Sequence, residues 1–179
     1  MAAEEIPLFE DSQPWPRWLA IFAAVACAGV ILFCSILAGQ QIQRLQSGQP
    51  APGALGIVVA LVFVSLMEAG VIFFFLTGRL VVRVFSNRLT VQVIPLPGRT
   101  VPFEQIERVE LGGINALREF GGWGVRWRPG AIGYVIGGRQ AVQIWLKSGR
   151  RIVIAYDRSE ELARILETAL ERWRRRQEW

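Results

Sequence analysis

Two long apolar segments occupy the first half of the chain, and a strand-like alternation replaces them from Arg79 onward. The second segment, Leu55–Thr77, is apolar on every side and contains one ionisable side chain, Glu68. A helix needs about 20 apolar residues to cross a bilayer. A chain in lipid must be helical, because no water is present there to bind its backbone polar groups. The pattern therefore predicts a transmembrane helix.

The first apolar segment covers residues 18–39 and carries no charge. Residues 1–16 before it are acidic and contain Pro14 and Pro16, which predicts a flexible tail. A secretory signal would begin with a basic region and have a shorter apolar core. We therefore interpret residues 18–39 as a first transmembrane helix. The predicted division is a tail over 1–16, a two-helix membrane hairpin over 17–78 and a soluble domain over 79–179.

The distribution of basic residues around the two segments predicts their orientation. The polar connection over residues 40–53 contains only Arg44, whereas several arginines flank the other ends of the helices. Basic residues near membrane spans favour the cytoplasmic side. We therefore expect a multi-pass protein of the inner (cytoplasmic) membrane with both termini in the cytoplasm.

Glu68 is placed inside the apolar region, about 13 Å along the helix from Thr77. Ionisable residues at such a depth are costly and mark function by default. The first apolar segment contains no basic residue at a matching depth. The sequence thus predicts a protonated carboxyl that hydrogen-bonds to a neighbouring helix or to another copy. A proton or cation pathway, in an accessory subunit of a transporter, is the alternative.

Beyond the second helix, short β-branched segments alternate with turn residues. They predict seven strands, and the dipeptides Gly137-Gly138 and Ser148-Gly149 predict hairpin turns between the last three. Residues 112–130 are rich in glycine and predict an irregular connection. The predicted strands cover residues 80–85, 89–93, 100–103, 106–111, 132–136, 141–147 and 150–156.

The last segment returns to a helical period. Leu162, Leu166 and Ala169 fall on one face, acidic residues lie near the start, and arginines lie near the end. This charge order suits the helix dipole, which explains the C-terminal arginines without a ligand. A basic tail that binds lipid or nucleic acid is the alternative. We expect the helix to cover one end or face of the sheet.

The order of seven antiparallel strands and a C-terminal helix, together with local sequence, resembles a known group. The segments that carry the resemblance are 120–127, 132–134, 138–154 and 160–162. They are similar to uncharacterised small bacterial two-helix membrane proteins with a pleckstrin-homology-like (PH-like) domain. The resemblance implies an α+β domain, with the strands in a partly open antiparallel barrel. It implies no lipid-headgroup site, because the first hairpin offers Arg83 and Arg88 without lysine.

The chain contains no His, and Cys27 and Cys34 are its only cysteines. These two cysteines lie about 10 Å apart along one helix, which is too far for a disulfide. No phosphate-binding glycine loop and no base–nucleophile pair occur outside the apolar segments. We therefore expect no enzyme activity, no metal and no cofactor.

The stretch over residues 120–128 is the best candidate for an interaction site. Tryptophan beside arginine is enriched at binding hot spots, and the site would comprise Trp123, Arg126, Trp127 and Arg128. A packing role for Trp123 inside the domain is the competing interpretation. We expect Trp123 to be structural and Trp127 to be a recognition residue.

The chain has a net charge of +5, and most of its Lys and Arg lie from Arg79 onward. The favoured hypothesis is a membrane-anchored interaction module, with the bilayer and a protein partner or a second copy as its partners. A sensor of anionic lipid that uses Arg79, Arg83 and Arg88 is the alternative. We expect no nucleic acid as a partner.

Overall fold

The computed structural model describes residues 6–48 and 54–177, and these residues divide into two compact units. One unit is the segment Pro16–Thr77. The other unit combines residues 6–15 with residues 78–177. The residues before the first helix therefore belong to the same unit as the C-terminal domain.

The first unit contains two helices, α1 (Arg17–Gln46) and α2 (Ala54–Thr77). Both are long and apolar enough to cross a membrane, and only 6% of the most apolar part of each is buried. Helix α1 continues to Gln46, so the predicted connection over 40–53 begins later than expected; residues 49–53 lie outside the described residues.

The less exposed side chains of α1 and α2 form one stripe on each helix, at spacings of three and four residues. This spacing is typical of two helices that pack along their length. Ala24 and Ala28 are exposed and lie outside the stripe of α1. Cys27 and Cys34 are free, as their spacing predicts. The stripes contain Ala20, Ala23, Cys27, Cys34, Ala38 and Gln41 on α1, and Ile57, Leu61, Val64 and Glu68 on α2.

Sheet A is four-stranded and antiparallel, in the order β1-β2-β3-β4. Strand β3 alternates buried and half-buried side chains, as the sequence predicts for a sheet with one buried face, whereas β2 buries Leu80, Val81 and Val82 in succession. The strands are β1 (Phe9–Pro14), β2 (Arg79–Val84), β3 (Arg88–Ile94) and β4 (Arg99–Pro102).

The prediction of a flexible tail over residues 1–16 is wrong for β1. This strand pairs with β2 from Phe9↔Val84 to Pro14↔Arg79. Its acidic side chains bind arginines elsewhere in the domain: Glu10 lies 2.8 Å from Arg83, and Asp11 lies 3.1 Å from Arg158. Within the described residues, the acidic side chains Glu10 and Asp11 thus form long-range ion pairs, and the part of the predicted tail over residues 1–5 lies outside the described residues.

Sheet B is five-stranded, in the order β5-β8-β9-β7-β6. Strands β7 and β9 run parallel, and β9 lies between β7 and β8. The prediction of purely antiparallel strands is therefore wrong, and Gly137-Gly138 joins two strands that do not pair. Ser148-Gly149 does connect the antiparallel pair β8 and β9. The strands are β5 (Ile106–Gly113), β6 (Gly124–Arg128), β7 (Ala131–Val135), β8 (Gln140–Leu146) and β9 (Arg151–Ala155).

The glycine-rich stretch over 112–130 is more ordered than the sequence predicts. It contains a short helix, α3 (Ala116–Phe120), and the edge strand β6. The helix lays the Phe120 ring on sheet B at Gly133, where an added Cβ would lie 2.7 Å from the ring. Glycine is required there because the ring occupies the space of a side chain.

The C-terminal helix α4 (Ser159–Gln177) is present as predicted and contacts β2, β5 and β8. Leu162 and Leu166 are fully buried, and they join a core supplied by the apolar faces of both sheets. Arg174 and Arg176 donate hydrogen bonds to the backbone carbonyls of Glu107 and Ser86, at 2.6 and 3.1 Å. The β-strands form two separate sheets rather than the single partly open barrel that was expected.

Candidate anion-binding cleft

The four candidate residues of the stretch over 120–128 separate into two environments. Trp123 is partly buried and packs against the cluster formed by Phe120 and its neighbours on sheet B. Arg126 donates a hydrogen bond from Nε to the carbonyl of Trp123 at 3.0 Å. These two residues therefore support the local structure around α3.

Trp127 and Arg128 lie at the other end of β6 and line a cleft of about 250 Å³. The Trp127 side chain is 75% exposed, although its strand neighbour Ile132 is buried. Strand β6 is an edge strand, so Trp127 has a neighbouring strand on one side only. Such an exposed indole beside a concave surface is available to a ligand.

Four arginines from three separate regions line this cleft. Arg99 begins β4 in sheet A, Arg128 ends β6, Arg151 begins β9 and Arg150 directly precedes it. Of these four arginines, the sequence predicted only Arg128 as a site residue. The adjacent pair Arg150-Arg151 after the turn at Ser148-Gly149 is the only local signal for the others. Their convergence depends on the position of the start of β4 beside β7 and β9 at this cleft.

The positive charge of the cleft is uncompensated within the part of the chain that the structure describes. No Asp or Glu lines it, and none of Arg99, Arg128 and Arg150 forms an ion pair there. Arg151 donates to Gln143 Oε1 at 2.9 Å and lies over the Trp145 ring. Guanidinium groups remain charged at every physiological pH, so the cleft attracts anions.

A second cleft, at the start of α4, shows the contrasting arrangement. It is lined by basic residues and also by acidic ones. Arg158, one of its basic residues, donates to Glu161 at 2.7 Å and to Asp11 at 3.1 Å. These partners raise the pKa of Arg158 above its usual value, with the Glu161 hydrogen bond as the largest cause. The charges at the start of α4 thus compensate one another.

The three arginines predicted for a lipid surface, Arg79, Arg83 and Arg88, lie on the neighbouring strands β2 and β3 of sheet A. Arg83 is paired with Glu10 of β1, and Arg88 lies 4.3 Å from the centre of the Phe85 ring. Arg79 begins β2, about 13 Å along the strand from Arg83. The structure brings other arginines together, at the cleft of Arg99 and Arg128.

Glu68 lies in the stripe of α2 that packs against α1, with 9% of its surface exposed. Neither carboxyl oxygen has a hydrogen-bond partner among the described residues. The predicted hydrogen bond to the neighbouring helix is therefore absent from residues 6–48 and 54–177. A hydrogen bond between Glu68 and another copy of the chain stays a prediction.

One further polar group lies beside the cleft. Tyr134 on β7 is buried, and burial raises the pKa of its phenol, while the charge of Arg99 acts in the opposite direction. Arg99 of sheet A and Ile132 of β7 line the same cleft. Within the described ranges, no group of three or more Cys, Asp and Glu side chains is placed to hold a metal.

Comparisons of this chain with protein-family models, with curated proteins and with solved structures find no match.

Proposed function

We propose that this chain is a membrane-anchored, non-enzymatic interaction module. Its two helices hold a PH-like β domain at the cytoplasmic face of the inner membrane, and the cleft of Arg99, Trp127, Arg128, Arg150 and Arg151 binds an acidic partner. The proposal combines a hydrophobic anchor with a basic recognition surface.

The exposure of apolar side chains on α1 and α2 supports the proposed membrane anchor. Twelve large hydrophobic side chains of α1 and eleven of α2 are exposed. Each would cost about 1.5–3 kcal/mol in water relative to burial. A core helix of a soluble protein hides such residues, whereas a bilayer solvates them. The basic residues near the helix ends support an orientation with both termini inside.

The observation that supports recognition is the composition of the cleft. Arginine and tryptophan are the residues enriched at binding hot spots, and the cleft is lined by both. Among the described residues that line it, none has a carboxylate, thiol or hydroxyl side chain to act as base or nucleophile. The arrangement suits the binding of an anionic group better than the conversion of a substrate.

Membrane insertion and orientation are tested by cysteine labelling of intact cells. Cys27 and Cys34 are first replaced by alanine, and then Ser47→Cys and Ser148→Cys are introduced separately. An impermeant thiol reagent should label position 47 on intact cells and position 148 only after lysis. The protein should also stay with the membrane in alkaline carbonate.

Two outcomes contradict the proposal at different points. Release of the protein by carbonate would contradict the membrane anchor. Labelling of position 148 and protection of position 47 on intact cells would contradict the cytoplasmic placement of the domain.

A further inference from the structure

The cleft described above has the geometry of a phosphate site. Its four arginines come from three separate segments of the chain, at the start of β4, at the end of β6 and at the turn into β9. Two of them also bind the protein itself: Arg128 donates to the carbonyl of Arg118 at 3.5 Å, and Arg151 donates to Gln143. Guanidinium presents a planar fork of N–H donors that matches two oxygens of a phosphate. A volume of about 250 Å³ has room for a phosphodiester group with part of its substituent.

The walls of the cleft are apolar where the arginines are absent. Ile132 and Ile152 contribute to the lining, and Trp127 flanks it with most of its indole exposed. A ligand that matches this surface has a negatively charged group attached to an apolar moiety. Tryptophan is enriched at membrane–water interfaces for the same reason, because its ring is apolar and its N–H is polar.

Arg99 of the cleft lies in the same sheet as the strand that follows the second helix. Arg79 begins β2 two residues after Thr77, the last residue of α2. Arg79 pairs with Ile94, and Arg99 of the cleft pairs with Val91 of the same strand β3. Two strand spacings and three residues of β3 therefore separate Arg79 from Arg99, about 14 Å along the sheet.

We infer that the cleft of Arg99, Trp127, Arg128, Arg150 and Arg151 binds the phosphodiester headgroup of an anionic phospholipid. This inference rests on the proposed function, because it names the acidic partner of the same cleft. The arginines bind the phosphate oxygens, and Trp127 contacts the glycerol and acyl region. The lipid would neutralise a cluster of like charges that the described residues leave uncompensated.

The test uses full-length protein in an uncharged detergent. Three probes are titrated by calorimetry at low and at physiological salt: dihexanoyl phosphatidylglycerol, inorganic phosphate and a glutamate-rich peptide. The short-chain lipid should bind more tightly than inorganic phosphate, and added salt should weaken its binding.

Variants assign the binding to the cleft. The double variant Arg128→Gln/Arg150→Gln should raise the Kd for the lipid at least tenfold. The matched control Arg139→Gln/Arg164→Gln removes two arginines that line the charge-compensated cleft at the start of α4, and it should change the Kd less than twofold. Trp127→Ala should raise the Kd for the lipid several-fold and leave the Kd for inorganic phosphate unchanged. Thermal melts of each variant report whether the domain stays folded.

Each other outcome overturns a defined part of the inference. Equal affinity for inorganic phosphate and lipid, or equal loss in the control variant, would overturn the headgroup assignment. Cleft-dependent binding of the peptide without the lipid would overturn the phosphate site and leave the proposed function standing. No cleft-dependent binding of any probe would overturn both.

Discussion

The side-chain oxygen of Gln13 accepts a hydrogen bond of 2.8 Å from the backbone N–H of Asp157. Gln13 precedes both long helices, and Asp157 follows the last strand. The bond therefore joins the segment before α1 to the end of sheet B. Together with the contact of Asp11 and Arg158, it makes β1 a structural part of the domain.

Replacement of Gln13 measures how much β1 contributes. Gln13→Ala removes the acceptor of the Asp157 N–H, and we expect a loss of about 1 kcal/mol in the free energy of unfolding. Ser12→Ala is the matched control, because the Ser12 side chain is exposed and its hydroxyl forms no hydrogen bond within the described residues. Denaturant unfolding in detergent, followed by tryptophan fluorescence, provides the measurement. Equal stability of the two variants would indicate that the hydrogen bond from Asp157 to Gln13 does not stabilise the domain.

The two tryptophans of the stretch over 120–128 should respond differently to truncation. Trp123→Ala removes a ring that packs against Phe120 and Val135, so we expect a loss of about 3 kcal/mol. Trp127→Ala removes an exposed ring, and its effect on stability should stay within about 0.5 kcal/mol. Thermal unfolding of both variants gives the comparison. A large loss of stability in Trp127→Ala would show that this residue is part of the core.

Glu68 is expected to act through packing rather than through its charge. Glu68→Gln should leave the amount of protein in the membrane nearly unchanged. Glu68→Leu should accumulate to at least the level of the natural protein, because it removes two buried oxygens that have no hydrogen-bond partner among the described residues. The control Leu66→Gln places an amide on an exposed face of α2 and should reduce accumulation. Quantitative immunoblots of membrane fractions measure all three. Failure of a measured function in folded Glu68→Gln would show that ionisation matters.

Tyr156 should make the stability of the domain depend on alkaline pH. Burial, with the charge of Asp11 as the next cause, raises the pKa of the Tyr156 phenol in the folded state. The folded state thus favours the protonated phenol. The contribution of the protonated phenol to the free energy of unfolding is fully present below the ordinary pKa of about 10. This contribution is lost as the pH rises from there through the folded-state pKa.

The variant Tyr156→Phe separates the loss of stability caused by ionisation of Tyr156 from losses that other groups cause at alkaline pH. The Tyr156 hydroxyl has no hydrogen-bond partner among the described residues, so its removal should raise stability at pH 7 by about 1 kcal/mol. The decline in stability above pH 10 should become shallower. Unfolding free energies at several pH values provide the test, and an unchanged slope would mean that Tyr156 does not titrate between the two states.

Local sequence pattern predicted the elements whose environment is uniform along the chain. The apolar runs of α1 and α2, the β-branched run of β2, the alternation in β3 and the amphipathic face of α4 each follow from side chains in a regularly repeating environment. Two of the elements missed by the pattern, β1 and β6, are edge strands. Strand β1 is acidic, and β6 is preceded by glycines with positive φ, Gly121 and Gly122.

The sequence by itself determined which residues avoid water, and hence the two apolar helices and the strands with one buried face. Only the tertiary structure decided that β9 separates β7 from β8 and that Arg99 meets Arg128, Arg150 and Arg151. The physical reason is the distance along the sequence between the residues that interact. Burial and helix period are set by residues within a few positions, whereas strand order and the convergence of charges depend on contacts between residues tens of positions apart.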